Sequence, residues 1–175
     1  MIAADYHMHT NFSSDSDASP ESMAIGAVRK GLKQICITDH QDWDYPEDKK
    51  QFRIDMEHYI PAVEELKKKF QDQISIGLGV EIGFQKHLGE YYRNFTSSYP
   101  FDFVIGSTHV VEGKDPYNRV LFENCSDAEV YEKSFVETWK ISGSYRISMC
   151  SATWIISCGT ERIRREITTG KIIRI

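Results

Sequence analysis

Four short stretches of this chain place histidine or glutamate at or just beyond the end of an apolar, strand-like run: residues 5–10 (DYHMHT), 37–40 (ITDH), 79–81 (GVE) and 105–109 (IGSTH). Imidazole and carboxylate are the side chains that hold zinc, manganese or iron. A ligand set delivered one or two at a time from successive strand ends is how a barrel of parallel strands builds a site at one face. The pattern points to a metal-dependent enzyme.

His7 and His9 stand two apart, so in an extended segment both rings project to the same face and can reach one cation. Asp15 follows in a Ser-rich loop, near enough to bend back over the same mouth. His40, Glu81 and His109 come from three further strand ends. Glu81 is the natural bridge between two cations, because a carboxylate offers two oxygens and an imidazole one free nitrogen. Asp17 and Asp39 are expected to orient ligand histidines through their other ring nitrogen. An isolated HxH is weak evidence, and His40 by itself could be an ordinary loop histidine; the convergence of four such stretches carries the reading. His58 and His87 are expected at the solvated surface, and Asp42, Asp44, Glu47 and Asp48 read as an acidic, solubilising loop. Tyr91, Tyr92 and Phe95 have the spacing of a helix packed on the core.

A group of cations stabilises charge on both sides of an in-line displacement and acidifies a water molecule, which is the chemistry of phosphoester hydrolysis. The sequence offers no Ser-His-Asp arrangement, phosphate-cradling glycine loop or dinucleotide fingerprint. The expected nucleophile is therefore water rather than a side chain.

The elements needed to position these residues alternate along the chain. Strands are expected over residues 2–6, 34–38, 74–80 and 101–107. Ser19-Pro20-Glu21 opens a helix that Gly31 ends. Residues 47–70 have helical periodicity with Pro61 as a break or kink. Residues 88–95 and 126–138 complete the helices, the last capped by Ser126 with acids in its first turn. This is an α/β pattern of parallel strands joined by crossovers. An eight-fold barrel takes roughly 250 residues, so these 175 residues are expected to form an incomplete β/α barrel of four to five units.

Hydrophobic residues make up 41% of the chain, and no run is long enough to span a membrane. The first residues do not read as a signal peptide, and four cysteines without a CxxC pair fit a reduced, cytoplasmic setting. Cys36 reads as a buried thiol. Residues 1–138 carry 14 Lys+Arg against 24 Asp+Glu, whereas residues 139–175 carry 7 against 2. The acidic body disfavours a nucleic-acid surface. Nothing in the sequence fixes an oligomeric state.

The order HxH, TDH, E and H at successive strand ends resembles the PHP (polymerase and histidinol phosphatase) superfamily. GVEIGFQKHLGE and YPFDFVIGSTHVVEGKDPYN are similar to its histidinol-phosphatase branch. The resemblance covers residues 1 to about 138. It implies a distorted β/α barrel, a centre of up to three zinc, manganese or iron ions, and hydrolysis of histidinol phosphate to histidinol and phosphate in histidine biosynthesis. By motif position, His7, His9 and Glu81 would serve one ion, Glu81 and His109 a second, and Asp15 and His40 a third. In many relatives the Asp15 position is histidine. Other branches act on phosphotyrosine or nucleic acid, and a barrel fragment that binds metal without turnover is a third possibility.

The resemblance also calls for a later GHxD and DxH, and neither follows His109. Reading each codon one base out of phase tests residues 139–175. Met149-Cys150 then forces valine, Trp139-Lys140 glutamate and Trp154-Ile155 aspartate, and residues 149–160 permit VLGHLDYIVRY, which resembles the missing segment. Residues 139–175 are thus expected to be an out-of-frame tail without a native fold, and the chain as written to be inactive.

Overall fold

In the computed structural model the structure describes residues 3–118, 123, 125–142 and 150–151. Strand β1 (Ala4–Met8) is followed by helix α1 (Pro20–Arg29), strands β2 (Gln34–Ile37) and β3 (His40–Gln41), and helix α2 (Met56–Phe70). Then come β4 (Ser75–Gly83), α3 (Gly89–Ser98), β5 (Phe103–Ser107), α4 (Asp127–Ser142) and β6 (Cys150–Ser151). Every strand pair is parallel, in the order β1-β2-β4-β5-β6, with β3 also on β4. The expected α/β alternation is therefore present. Because β2 and β3 pair with successive stretches of β4, they act as one interrupted strand whose second part brings His40 beside Glu81.

Local chemistry explains the helix boundaries. Ser19 caps α1 by accepting from the Ser22 N–H at 3.2 Å, Pro20 occupies its first turn, and Gly31 leaves it at φ +75°. Helix α2 starts at Met56 rather than near residue 47, because Asp55 caps it by accepting from the Glu57 N–H at 3.1 Å. It continues past Pro61, which removes one backbone hydrogen bond close to the N-terminus. The expected boundary at residue 138 falls inside α4, which runs to Ser142 and buries Ile141 in the main core. Apart from residues 139–142 and the pair 150–151, the expected tail lies outside the described residues.

The core lies where α2 packs on the sheet, with Tyr59, Val63, Leu66 and Phe70 against Ile35, Ile37, Leu78 and Val80. The Tyr59 hydroxyl donates to the Ile37 and Gly79 carbonyls at 3.0 and 2.9 Å, stitching helix to both strands. Burial pushes the Cys36 thiol up to about 12, so the cysteine is structural, as expected. Sheet closeness at this point depends on glycine. A Cβ on Gly79 would stand 2.7 Å from Cys36 Sγ and Thr38 Cγ2, and 2.9 Å from the Ile37 carbonyl oxygen. Gly79→Ala is therefore expected to destabilise the fold by roughly 1–3 kcal/mol. Urea unfolding would check this, and an unchanged midpoint would contradict it.

Candidate metal centre

Of the six anticipated side chains, four lie around a fifth, Glu81, and the sixth, Asp15, lies against two of those four. Glu81 lies inside β4, fully buried, with neighbouring strands on both sides. Its Oε2 is 2.7 Å from His7 Nε2 and 2.8 Å from His9 Nε2, and its Oε1 is 3.0 Å from His109 Nε2. His40 Nδ1 is 3.9 Å from the same carboxylate. Asp15 joins through its Oδ2, 2.9 Å from His9 Nδ1 and 3.5 Å from His40 Nε2. The rings of His9 and His40 lie 4.3 Å apart and those of His40 and His109 4.7 Å apart. Three groups of side chains could each hold a metal ion: His7, His9 and Glu81; His9, Asp15 and His40; and His40, Asp42 and His109.

The backbone holds this geometry through a few polar links. The Met8 N–H donates to Thr38 Oγ1 at 3.0 Å, and the Thr38 N–H to the Met8 carbonyl at 2.8 Å, which locks β1 to the β2 end. Asp39 is fully buried and accepts from the Thr10 N–H and hydroxyl at 2.5 and 2.7 Å. It thus anchors the loop after His9, and does not orient a histidine as expected. Asp17 is exposed. The Ser13 hydroxyl accepts from the His40 N–H at 2.7 Å. Tyr92 donates to the Gln41 carbonyl and accepts from the Trp43 N–H, both at 2.8 Å, so α3 pins the segment following His40. His109 is steadied from α4, where Thr138 Oγ1 lies 2.7 Å from Thr108 Oγ1.

The carboxylate that does orient a histidine is Asp42, expected to be part of a solvated loop. It is buried, with Oδ2 2.6 Å from His109 Nδ1. Its position depends on Gly83, where a Cβ would meet the Asp42 carboxyl carbon and Oδ1 at 2.6 Å. Two buried atoms facing each other at 3.8 Å, His40 Nδ1 and Asp42 Oδ1, have no hydrogen bond. Unsatisfied imidazole and carboxylate atoms of this kind are what a divalent cation would satisfy, and the surrounding nitrogen and oxygen donors suit zinc, manganese or iron. His58 and His87 stay exposed beside Asp55 and Asp44, as expected.

In the metal-free protein these groups form a network of opposite charges. Burial disfavours charge on His9, but hydrogen bonds to Asp15 and Glu81 outweigh it and raise its pKa to about 9. Burial also opposes charge on His40 and His109, yet their neighbouring carboxylates raise both. Burial would raise Glu81, Asp15 and Asp42, but the imidazoles around them hold all three below the usual carboxylate range. The signs set a stability window. The His9 contribution is complete below its unfolded value of about 6.5 and is lost as pH rises through about 9. The carboxylate contributions are present above about pH 4 and are lost as pH falls through the depressed values. Metal-free protein should therefore be most stable between roughly pH 4.5 and 6.5. Metal uptake near pH 7.5 should expel protons from the imidazoles. Titration calorimetry in two buffers of different ionisation enthalpy would show the release; identical apparent enthalpies would contradict it.

Beside the centre opens a cavity of about 570 Å³, lined by Asp15, His40, Asp42 and His109 together with Tyr45, Phe52 and Asp115. Among the described residues, no helix is long and apolar enough to cross a membrane.

Comparison with known proteins agrees with this arrangement. The chain is 34% identical over 122 residues to a histidinol-phosphatase of Lactococcus lactis, covering 70% of this chain and 45% of that one. It is 34% identical over 131 residues to a Clostridium acetobutylicum protein named "Probable histidinol-phosphatase", covering 75% and 49%. The chain thus spans about half the length of the curated relatives it matches. Its fold matches the crystal structure of the Lactococcus lactis histidinol phosphate phosphatase complexed with zinc, L-histidinol and phosphate, with a TM-score of 0.77 and 28% identity over 81% of this chain and 53% of that one. The model of the PHP domain matches residues 5–155, beginning just before the His7–His9 pair and running past residue 138. With that match over most of its length, the chain belongs to the PHP domain family.

Proposed function

We propose that this centre serves a metal-dependent phosphomonoesterase of the histidinol-phosphatase type, which converts histidinol phosphate and water to histidinol and phosphate in a cytoplasmic histidine pathway. The observation that carries this reading is Glu81, a buried carboxylate within 3.0 Å of three imidazoles from two other strand ends. His7, His9 and Glu81 would hold one divalent ion, Glu81 and His109 a second, and Asp15 and His40 a third. When bound, such ions neutralise phosphoryl charge and make water a competent nucleophile at neutral pH. The chain supplies the rest. Asp42 fixes the His109 ring, Asp39 and Thr10 fix the loop that carries Asp15, and Glu81 keeps β1, β4 and β5 side chains in one cluster. Among the described residues the cavity wall offers no serine, cysteine or lysine paired with a base as an alternative nucleophile.

Residues 139–175 belong to the same proposal as an out-of-frame tail, because codons read one base out of phase force valine at 149–150 and aspartate at 154–155 within a stretch that permits GHLD, and glutamate at 139–140, where it would continue a helix. Sequencing the gene through the Thr138 codon tests that part. The activity is tested by supplying the chain, and its frame-restored form, with zinc or manganese and histidinol phosphate. Phosphate release that a chelator abolishes is expected at least of the restored form. Faster release from a phosphotyrosine peptide would move the assignment to another branch of the family. Metal binding without release from any ester would leave a non-catalytic metal-binding protein.

A further inference from the structure

A metal ligand is only as well placed as its backbone, and the segment that carries His109 is held by α4. His109 reaches Glu81, whereas its neighbour Thr108 reaches Thr138 of that helix. The two threonine hydroxyls are buried and lie 2.7 Å apart. Thr138 Oγ1 also donates to the Ser134 carbonyl at 2.7 Å, which uses its single proton. Thr108 is therefore the donor of the pair and Thr138 the acceptor. Just beyond His109 the chain reverses. Val111 and Lys114 exchange backbone hydrogen bonds at 2.8 and 3.0 Å, with Glu112 at φ +51° and Gly113 at φ +76° between them. Glycine takes such an angle freely, but a glutamate there is strained and has to be held. Helix α4 holds it: Glu137 Oε2 accepts from the Glu112 N–H, and Lys133 donates to Glu112 Oε2, both at 3.1 Å. Val111 also packs with Val130 of α4 in a small buried cluster apart from the main core. Val130, Lys133, Glu137 and Thr138 have the spacing of one helical face.

We infer that this face of α4 positions His109 for metal binding, with Thr138 acting through Thr108, and Glu137 and Lys133 acting through Glu112. The ion shared by Glu81 and His109 then depends on α4. The ion of His7, His9 and Glu81, whose imidazoles come from the end of β1, does not. The dependence of the second ion rests on the phosphatase reading and its division of ligands, whereas the placing of His109 is measurable without metal. Each of these residues precedes residue 139, so the same face is present whether or not the frame is restored.

Two readouts on the full chain test this. In metal-free protein with isotope-labelled histidine, nuclear magnetic resonance reads the His109 ring N–H, assigned by its loss in His109→Ala. Thr138→Val leaves the Thr108 proton without an acceptor and is expected to shift or broaden that signal, with the other histidine signals in place. Thr138→Ser keeps the hydroxyl and should restore it. Zinc titration against a chelating dye should show one ion weakened about tenfold in Thr138→Val. The same change added to His109→Ala should cost nothing further, because the two act on one ion. A general loss of structure would weaken zinc in both backgrounds. If Thr138→Val fails to fold by circular dichroism, Glu137→Ala takes its place, with an expected weakening of about threefold, since it removes only the acceptor of a turn N–H. An unmoved His109 signal, or equal zinc loss with and without His109, would overturn the positioning role. Wild-type protein that binds no zinc would instead overturn the phosphatase reading, and the His109 signal would then decide the role of α4.

Discussion

Replacing Glu81 by glutamine is expected to abolish divalent-metal retention after gel filtration and any phosphate release that depends on it. Loss of an outer partner of a metal ligand weakens binding by roughly 10–100-fold, and Glu81 stands closer to the ions than any such partner. Its two oxygens face His7, His9 and His109 together, so a neutral amide leaves three imidazoles without their shared anion. The same change should destabilise the metal-free protein by about 3 kcal/mol at pH 6, because removing one partner strands charges in a buried place. Metal analysis and urea unfolding would check the two effects. Normal zinc content in Glu81→Gln would show that the ions sit elsewhere.

Asp42→Ala should have the second-largest effect, a roughly 10–100-fold loss of metal affinity, since His109 loses the carboxylate that fixes its ring. Asp42→Asn keeps an acceptor for His109 Nδ1 and should be milder, which separates geometry from charge. Gly83→Ala should reproduce much of the Asp42→Ala defect without touching an ionisable group, because the new Cβ would occupy the space of the Asp42 carboxylate. Asp48→Ala, at an exposed position of the same loop, is the control and should bind metal normally. Competition with a chelating dye gives the affinities. Equal behaviour of Asp42→Ala and Asp48→Ala would return Asp42 to the solvated role its sequence context suggests.

That contrast shows where the sequence was legible. His7, His9, His40, Glu81 and His109 could be read together because each ends or follows an apolar run, and strand periodicity fixes which residues share a face. Asp15 was legible only through its closeness to the HxH pair. Asp42 was hidden because it sits among Asp44, Glu47 and Asp48, and local composition does not tell a buried carboxylate from an exposed one. One signal could have found it: Asp42 follows His40 by two residues, and Gly83, the residue it faces, follows Glu81 by two. That register appears only once the two-residue strand β3 is known to pair with β4. Asp39 misled for a related reason. Its place beside His40 suggested an orienting role, but alternation points it to the opposite side, where Thr10 takes both oxygens. The start of α2 was misplaced because charged residues from 47 onward have helical spacing, and only the cap at Asp55 sets the true boundary.

The most direct test of a shared metal centre is anomalous diffraction at the zinc edge from crystals of the protein grown with zinc. Peaks within about 2.0–2.3 Å of His7, His9 and Glu81, with Glu81 also touching a second ion held by His109, are the expected result. Peaks confined to exposed carboxylates, with the Glu81–imidazole contacts unchanged, would contradict it.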